Sequence, residues 1–299
     1  MPRDDIAPPS VTPSLKIQTI GRRTRPHEDL YHFILDRTWP QYIAMLIGTF
    51  LVLNVFFAFV YFFDPSGILN ARAGSLEDCF YFSVQTLATI GFGQMAPADR
   101  FTNIVVVVEA VTGTLSIALI AGVTFAKFAR PTAKVLFAAK ALVTPRDGVP
   151  HLMFRMANWR HNQVFDARLK VVLLVANQTR EGEVGRSLLE LPLVRDSTAL
   201  FAITWTAMHR IDEQSPFYGP DAIQRLRAAE AQLFLTLTGV DETIGQTINA
   251  RWGYDLDDII WNARFADVIS IQPDGTRVVD YREFHRFIPL AADAAAIDR

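Results

Sequence analysis

One cysteine in 299 residues, Cys79, leaves no intrachain disulfide to form, and no paired Cys/His spacing offers a structural zinc site. Surplus positive charge is also missing: the formal net charge of −2 lacks the basic excess of a nucleic-acid-binding face, so no nucleic-acid partner is expected. H-E-x-x-H, Walker and G-x-S-x-G patterns are absent, and isolated histidines such as His151 and His209 read as structural. Neither enzymatic chemistry nor an organic cofactor is expected. Met1 to Gln41 is broken by prolines and charges and has no short apolar core with a small-residue cleavage site, so it does not read as a secretory signal. The first apolar run is expected to stay in the protein.

What the chain does have is two long apolar runs, both before Pro131, followed by a stretch with charges spaced throughout. That asymmetry predicts a membrane part and a globular part. Tyr42 to Phe63 is uncharged over about 22 positions, close to the ~20 a helix needs to cross the hydrocarbon core. Phe101 to Ala126 is the second candidate span, apolar except for Glu109. Arg22, Arg23, Arg25 and Arg37 precede the first span, and Lys127, Arg130 and Lys134 follow the second, which predicts that both termini are cytoplasmic. Residues 1–40 read as an arm rich in proline at its start, with a short helix at about His27 to Thr38. Leu30, Tyr31, Ile34 and Leu35 share one face of it, which suits either an interfacial slide helix or a surface helix packed on the globule.

Between the spans, Leu76 to Leu87 reads as a short helix with Ser75 as N-cap and Glu77 and Asp78 in its first turn. A half-membrane helix followed by irregular backbone is tolerated at membrane depth only inside protein or against a water-filled cavity, so a pore loop is predicted. Thr89-Ile90-Gly91-Phe92-Gly93 follows it. A bare G-x-G is weak evidence, since about one is expected by chance in a chain of this length. Its place between two spans and behind a pore helix changes the odds. A dehydrated potassium ion can be held by rings of backbone carbonyls, and the segment resembles the potassium-channel filter with Phe in place of Tyr. Gly91 and Gly93 supply backbone freedom; Thr89 adds a hydroxyl; Ile90 and Phe92 are expected to pack against the pore helix.

Residues 131–299 read as short alternating strands, among them Leu152/Phe154/Met156, Val171 to Ala176, Gln232 to Thr238 and Val268 to Ile271. Turn chemistry stands at Asp147-Gly148 and Pro273-Asp274-Gly275, and a helix is expected at about Pro220 to Glu230. Many short strands favour a β-sandwich.

At this point the chain resembles the inward-rectifier potassium channels, their bacterial members in particular, from about residue 27 to about residue 287. The likeness rests on the filter and on Ala126-Lys127-Phe128-Ala129-Arg130-Pro131. It continues through Phe154-Arg155-Met156-Ala157-Asn158, His209-Arg210-Ile211-Asp212-Glu213-Gln214-Ser215-Pro216, Ala250-Arg251 and Asp280-Tyr281-Arg282-Glu283-Phe284-His285. The resemblance implies a two-span pore domain over 41–130 and a cytoplasmic immunoglobulin-like sandwich over 131–299. Four copies would form a potassium-selective pore with K+ as permeant ion, in a bacterial inner membrane. Departures matter too. The extracellular cysteine pair of eukaryotic members is missing, and Ile117 stands where strong rectifiers carry an acidic residue that binds magnesium and polyamines, so rectification is expected to be weak.

By the same resemblance Ala110, Thr114, Ile117, Ala121 and Phe125 line the cavity, with Phe125 as a hydrophobic constriction at the inner mouth; the spacing alone would fit a packing face equally well. Gly113 and Gly122 are hinge candidates or close-packing positions. Glu109, one residue from that stripe, is expected behind the filter near Gln85 or Thr86, since a mid-membrane charge must face protein or water. Arg22, Arg23, Lys127, Arg130 and Lys134 are candidate anionic-lipid contacts, of which the resemblance favours Lys127 and Arg130. The rival readings are a poorly selective cation channel and a membrane-anchored sensor with a non-conducting pore.

Overall fold

A computed structural model describes residues 30–160 and 162–290. They fall into two compact units, one closing at Arg130 and one opening at Pro131. The region holding Arg22, Arg23 and Arg25, and the start of the expected slide helix, lies outside the described residues.

The first unit is helical. A short helix α1 (Leu30–Asp36) of about two turns leads into α2 (Trp39–Phe62). α2 starts at Trp39 rather than after Pro40 because proline in the first turn loses no intrahelical bond; Gln41 also reaches back, its Oε1 accepting from the Thr38 amide at 3.2 Å. The chain then passes β1 (Ile68–Leu69), α3 (Leu76–Leu87) and β2 (Ala96–Pro97), with β1 and β2 paired antiparallel beside α3. Ser75 caps α3 by accepting from the Asp78 amide at 3.2 Å. α4 (Arg100–Phe128) is opened in the same way by Asp99, which accepts from the Thr102 amide at 2.7 Å. Its 29 residues at 1.5 Å rise give about 43 Å, more than the ~30 Å hydrocarbon core.

Apart from Tyr42 near the start of α2, each long helix buries one narrow stripe: Asn54, Phe57, Ala58 and Tyr61 on α2, and Thr102, Val105, Glu109 and Gly113 on α4. The three- and four-residue spacing marks a single face. The other faces are bare and apolar, with Val52, Phe56 and Phe59 on α2 and Val107, Val111, Leu115 and Leu119 on α4 all exposed. Helices of that length whose exposed faces are this apolar suit lipid as solvent.

The second unit is a β-sandwich. In chain order its strands are β3 (Val135–Phe137), β4 (Ala141–Arg146), β5 (Val149–Asn158), β6 (Val164–Gln178), β7 (Val184–Glu190), β8 (Ser197–Phe201) and β9 (Thr204–Arg210). After α5 (Ala222–Ala228) come β10 (Gln232–Asp241), β11 (Thr247–Asp255), β12 (Ile259–Trp261), β13 (Ala263–Phe265), β14 (Ile269–Ile271), β15 (Arg277–Val279) and β16 (Phe287–Pro289). One sheet runs β11-β10-β6-β7 with β8 also on β6; the other runs β12-β4-β5-β3 with β9 also on β5. Leu152, Phe154 and Met156 of β5 meet Leu169, Val171 and Leu173 of β6 and Leu233, Leu235 and Leu237 of β10 in one core. The β4–β5 turn holds Asp147 and Gly148 at φ 52° and 77°, the left-handed pair that a tight hairpin demands.

β5 departs from simple alternation. Met153, Arg155 and Ala157, on its outward face, are buried as well. The segment carrying β13 and β16 covers that face, and the Arg155 guanidinium donates to the carbonyls of Ala266 (2.6 Å) and Phe284 (3.2 Å).

On β9, His209 is buried between the Pro192 carbonyl, 2.7 Å from Nδ1, and the Ser215 hydroxyl, 2.8 Å from Nε2. Burial pushes its pKa down, outweighing the opposing influence of the Pro192 carbonyl and Asp212. The imidazole therefore stays neutral in the fold while the unfolded chain takes up a proton below about 6.5. His209 thus contributes stability that is complete above that value and is lost as pH falls toward the folded pKa. Hydrogen exchange across β9 in the full-length protein, corrected for intrinsic rates, should speed up from pH 7.5 to 5.5, and His209→Gln should flatten that response. An unchanged pH dependence in the variant would count against this assignment.

Candidate ion-conduction site

The backbone after α3 is fixed before any side chain is considered. Thr89 N donates to Thr86 O at 3.1 Å, while Ile90 N (2.8 Å) and Gly91 N (3.3 Å) share the Gln85 carbonyl. The last carbonyls of the short helix, which would otherwise be orphaned, thus hold the start of the following segment. From there φ alternates in sign: Thr89, Gly91 and Gly93 lie at 55°, 57° and 81°, with Ile90 and Phe92 negative. In ordinary extended backbone successive carbonyls point to opposite sides. Alternating φ cancels that reversal, so consecutive carbonyls can turn to one side and replace the water of a small cation. A Cβ on Gly91 or Gly93 would meet no atom within 4 Å, so the demand for glycine there comes from φ rather than from space. Thr89 adopts the same region without being glycine, at a cost of ~1–2 kcal/mol.

Ile90 and Phe92, expected to pack against the pore helix, are left 49% and 74% exposed by their own chain.

Behind α3 lies a buried polar knot. The Tyr61 hydroxyl of α2 donates to Glu109 Oε2 at 2.6 Å, and the Ser83 hydroxyl of α3 donates to Oε1 at 2.5 Å. Ser83 also lies 3.1 Å from Asn54 Oδ1, whose amide nitrogen donates to the Phe50 carbonyl at 2.7 Å. Glu109, Ser83 and Asn54 are wholly buried and Tyr61 nearly so. The partners of Glu109 are therefore Ser83 and Tyr61 rather than Gln85 and Thr86. Those two stand further along α3, half-buried, and Thr86 spends its hydroxyl on the Phe82 carbonyl. Asn54, Tyr61 and Ser83 were not singled out from sequence, although Asn54 and Tyr61 stand two turns apart in an otherwise apolar run, on one helix face.

Along α4, Thr114, Ile117, Ala121 and Phe125 are exposed and Ala110 half-buried. This face is distinct from the buried stripe through Glu109. Gly113 belongs to that buried stripe, and a Cβ there would collide with the Leu87 carbonyl, so its role in this fold is close packing of α4 on α3. Gly122 has open space around it.

At the far end of α4, Lys127 donates to the carbonyls of Leu35 (3.0 Å) and Arg37 (2.5 Å), and Arg130 donates to Leu35 (3.3 Å). The Lys127 ammonium also sits 5.5 Å and 5.6 Å from the ring centroids of Trp39 and Tyr42. Lys134, in the second unit, is exposed, while Arg22 and Arg23 lie outside the described residues. Among the described residues no group of three His, Cys, Asp or Glu side chains could hold a metal ion.

Comparison with known proteins follows the same division at Arg130. Residues 48–130 match the family model described as "Ion channel", and residues 135–298 match "Inward rectifier potassium channel C-terminal domain". The chain is 40% identical over 258 residues to inward rectifier potassium channel Kirbac3.1 of Paramagnetospirillum magnetotacticum, covering 86% of this chain and 87% of that one. It is 30% identical over 280 residues to G protein-activated inward rectifier potassium channel 1 of Bos taurus, and 27% identical over 279 residues to channel 2 of Mus musculus. It covers only 55% and 65% of those longer proteins. A pore-loop backbone between two membrane helices, a following β-sandwich and matches running through both units lead to one conclusion: the chain belongs to the inward-rectifier potassium channel family.

Proposed function

We propose that four copies of this chain surround one pore that conducts potassium passively and selectively in a bacterial inner membrane, with both termini and the sandwich on the cytoplasmic side. The observation that carries this reading is the alternating φ of Thr89, Gly91 and Gly93 directly beyond α3. One chain offers one rail of carbonyls, and a desolvated ion needs several around it. The exposed Ile90 and Phe92 supply a second support, since a neighbouring copy would cover side chains that one copy leaves bare.

In this reading Thr89 to Gly93 hold K+, with Gln85, Thr86 and Glu109 as support from behind. Ala110, Thr114, Ile117, Ala121 and Phe125 line the cavity, four Phe125 rings form an inner constriction, and Gly122, with open space around it, is the better candidate of the two for a bend. Ile117 leaves the cavity without an acidic ring, so rectification is weak. Anionic lipid binds at the inner leaflet through Arg22, Arg23, Arg130 and Lys134. Lys127 takes part only by exchanging its carbonyl partners for phosphate.

Potassium flux in liposomes, with reversal potentials in mixed potassium and sodium, tests the reading directly. Gly91→Ala or Gly93→Ala should abolish selective flux while the tetramer survives, because a Cβ opposes the required φ without striking a neighbour in the chain. Parent-like potassium preference in either variant would overturn the filter assignment.

Glu109→Leu leaves the Tyr61 hydroxyl without its acceptor, at about 1–3 kcal/mol, and leaves the Ser83 hydroxyl only Asn54 Oδ1 to donate to. It should lower both tetramer melting temperature and potassium-over-sodium selectivity, with Glu109→Gln close to the parent. Unaltered selectivity in Glu109→Leu would remove the knot from filter support.

Ile117→Asp places up to four carboxylates in the cavity, where low-dielectric walls focus their field on multivalent cations. Internal spermine should block this variant strongly and the parent weakly, and Phe125→Ala should raise flux at matched protein density. Equal spermine sensitivity, or no rise in flux, would place the cavity wall or the constriction elsewhere.

A further inference from the structure

The sandwich carries a cleft that conduction does not use. It measures about 460 Å³ and opens on the outward face of the β4–β5–β9 sheet, beside the segment that covers β5. Arg146, Arg155 and Arg264 line it, with Asp267 as the one carboxylate among its lining residues. Three guanidinium groups against one carboxylate leave an excess of two positive charges in one recess. β5 places Arg155, the end of β4 places Arg146, and the edge strand β13 places Arg264, so the convergence comes from sheet topology and cannot be seen in sequence spacing.

The three arginines differ in what holds them. Arg155 is 5% exposed and anchored by the two carbonyls of Ala266 and Phe284, with the Phe265 and Phe284 rings 4.2 Å and 5.7 Å from its guanidinium carbon. Among the described residues it makes no ion pair with a carboxylate. Burial pulls its pKa down to about 10, with Asp267 acting in the opposite direction, so its charge is only partly compensated. Arg264 pairs with Asp267 at the 4.0 Å limit, and that carboxylate is 90% exposed and largely given to water. Arg146 reaches the sulfur of Met208 at 3.4 Å, a weak acceptor for a cation. A buried cation without a counter-ion is costly, and planar guanidinium groups match the oxygens of phosphate in pairs.

We infer that this cleft is a binding site for a soluble, phosphate-bearing anion of at least two negative charges. Arg155 forms its fixed floor, and Arg146 and Arg264 close on the ligand from the rim. The inference concerns the sandwich alone and stands independently of the conduction reading.

Calorimetric titration of the full-length purified protein with inorganic pyrophosphate, at constant ionic strength set with potassium chloride, tests it. Saturable binding of one pyrophosphate per chain is expected. The exposed pair Arg146→Ala/Arg264→Ala should weaken it at least tenfold with the fold intact by circular dichroism. Arg168→Ala/Arg210→Ala, which removes the same charge from exposed positions outside the cleft, should leave the affinity within twofold. Absence of saturable binding in the parent, or equal weakening by the two double variants, would overturn the proposal. Flotation with vesicles containing phosphatidylinositol bisphosphate separates the lipid source. If the cleft variant lost vesicle binding while the parent failed to bind pyrophosphate, the site would belong to lipid and the proposal as stated would fall.

Discussion

The membrane unit depends on one carboxyl group cut off from water. Glu109 projects from α4 into the seam where α2 and α3 also meet, and it takes one hydroxyl from each of them. Apolar packing discriminates poorly between helices already solvated by hydrocarbon, since lipid tails and leucine are equivalent partners. A buried carboxyl group discriminates sharply, because an orientation of α3 that moves Ser83 away from it leaves Glu109 Oε1 without its donor. The short helix is therefore held in rotation and in height. Its last carbonyls carry Thr89, Ile90 and Gly91, so the geometry of the backbone that follows α3 is inherited from the Glu109 seam. Gly113, one turn further along α4, adds the steric part: its missing side chain lets α4 close on the Leu87 carbonyl.

The sandwich solves the opposite problem, with water outside and too many polar groups to cover. Its core is made by inward positions of β5, β6 and β10, but β5 is also roofed on its outward face, and that roof buries an arginine. Two carbonyls and two rings satisfy the guanidinium geometrically without neutralising it. Charge balance is thus left open at the place where the topology gathers two more arginines. On the neighbouring strand His209 shows the alternative, in which burial is tolerated because the ring is neutral and both nitrogens are paired.

The features legible in the sequence were those set by local chemistry. Ser75 with Glu77 and Asp78 marked the start of α3; Asp147-Gly148 marked a hairpin; and an uncharged run marked α2, displaced only by the tolerance of a first helical turn for Pro40. Glu109 was legible as a buried anomaly, yet its partners were not, because they depend on how α2 rotates against α3. Asn54 and Tyr61 carried a usable signal as polar residues on one face of an apolar helix. The exposure of Ile90 and Phe92 was not legible either, because burial at an apolar position depends on which distant segments reach it. The second covered face of β5 was hidden for a similar reason: the segment that covers it lies more than a hundred residues downstream.

The short helix α1 follows the same logic of borrowed satisfaction. Seven residues cannot sustain a helix in isolation, and α1 has no basic residue in its last turn to meet its terminal carbonyls. Lys127 and Arg130, from the end of α4, supply those donors instead. The Lys127 ammonium has three protons; two go to Leu35 and Arg37, and its remaining surface faces the Trp39 and Tyr42 rings. Tyr42 in turn shares a 2.7 Å hydrogen bond with Thr124, one turn before Lys127. The last turn of α4 cannot move relative to α1 without exposing carbonyls and an ammonium that have no other partners among the described residues. Within this unit, α1 and the C-terminal end of α4 are therefore one mechanical piece, and a force applied to either is felt by the other.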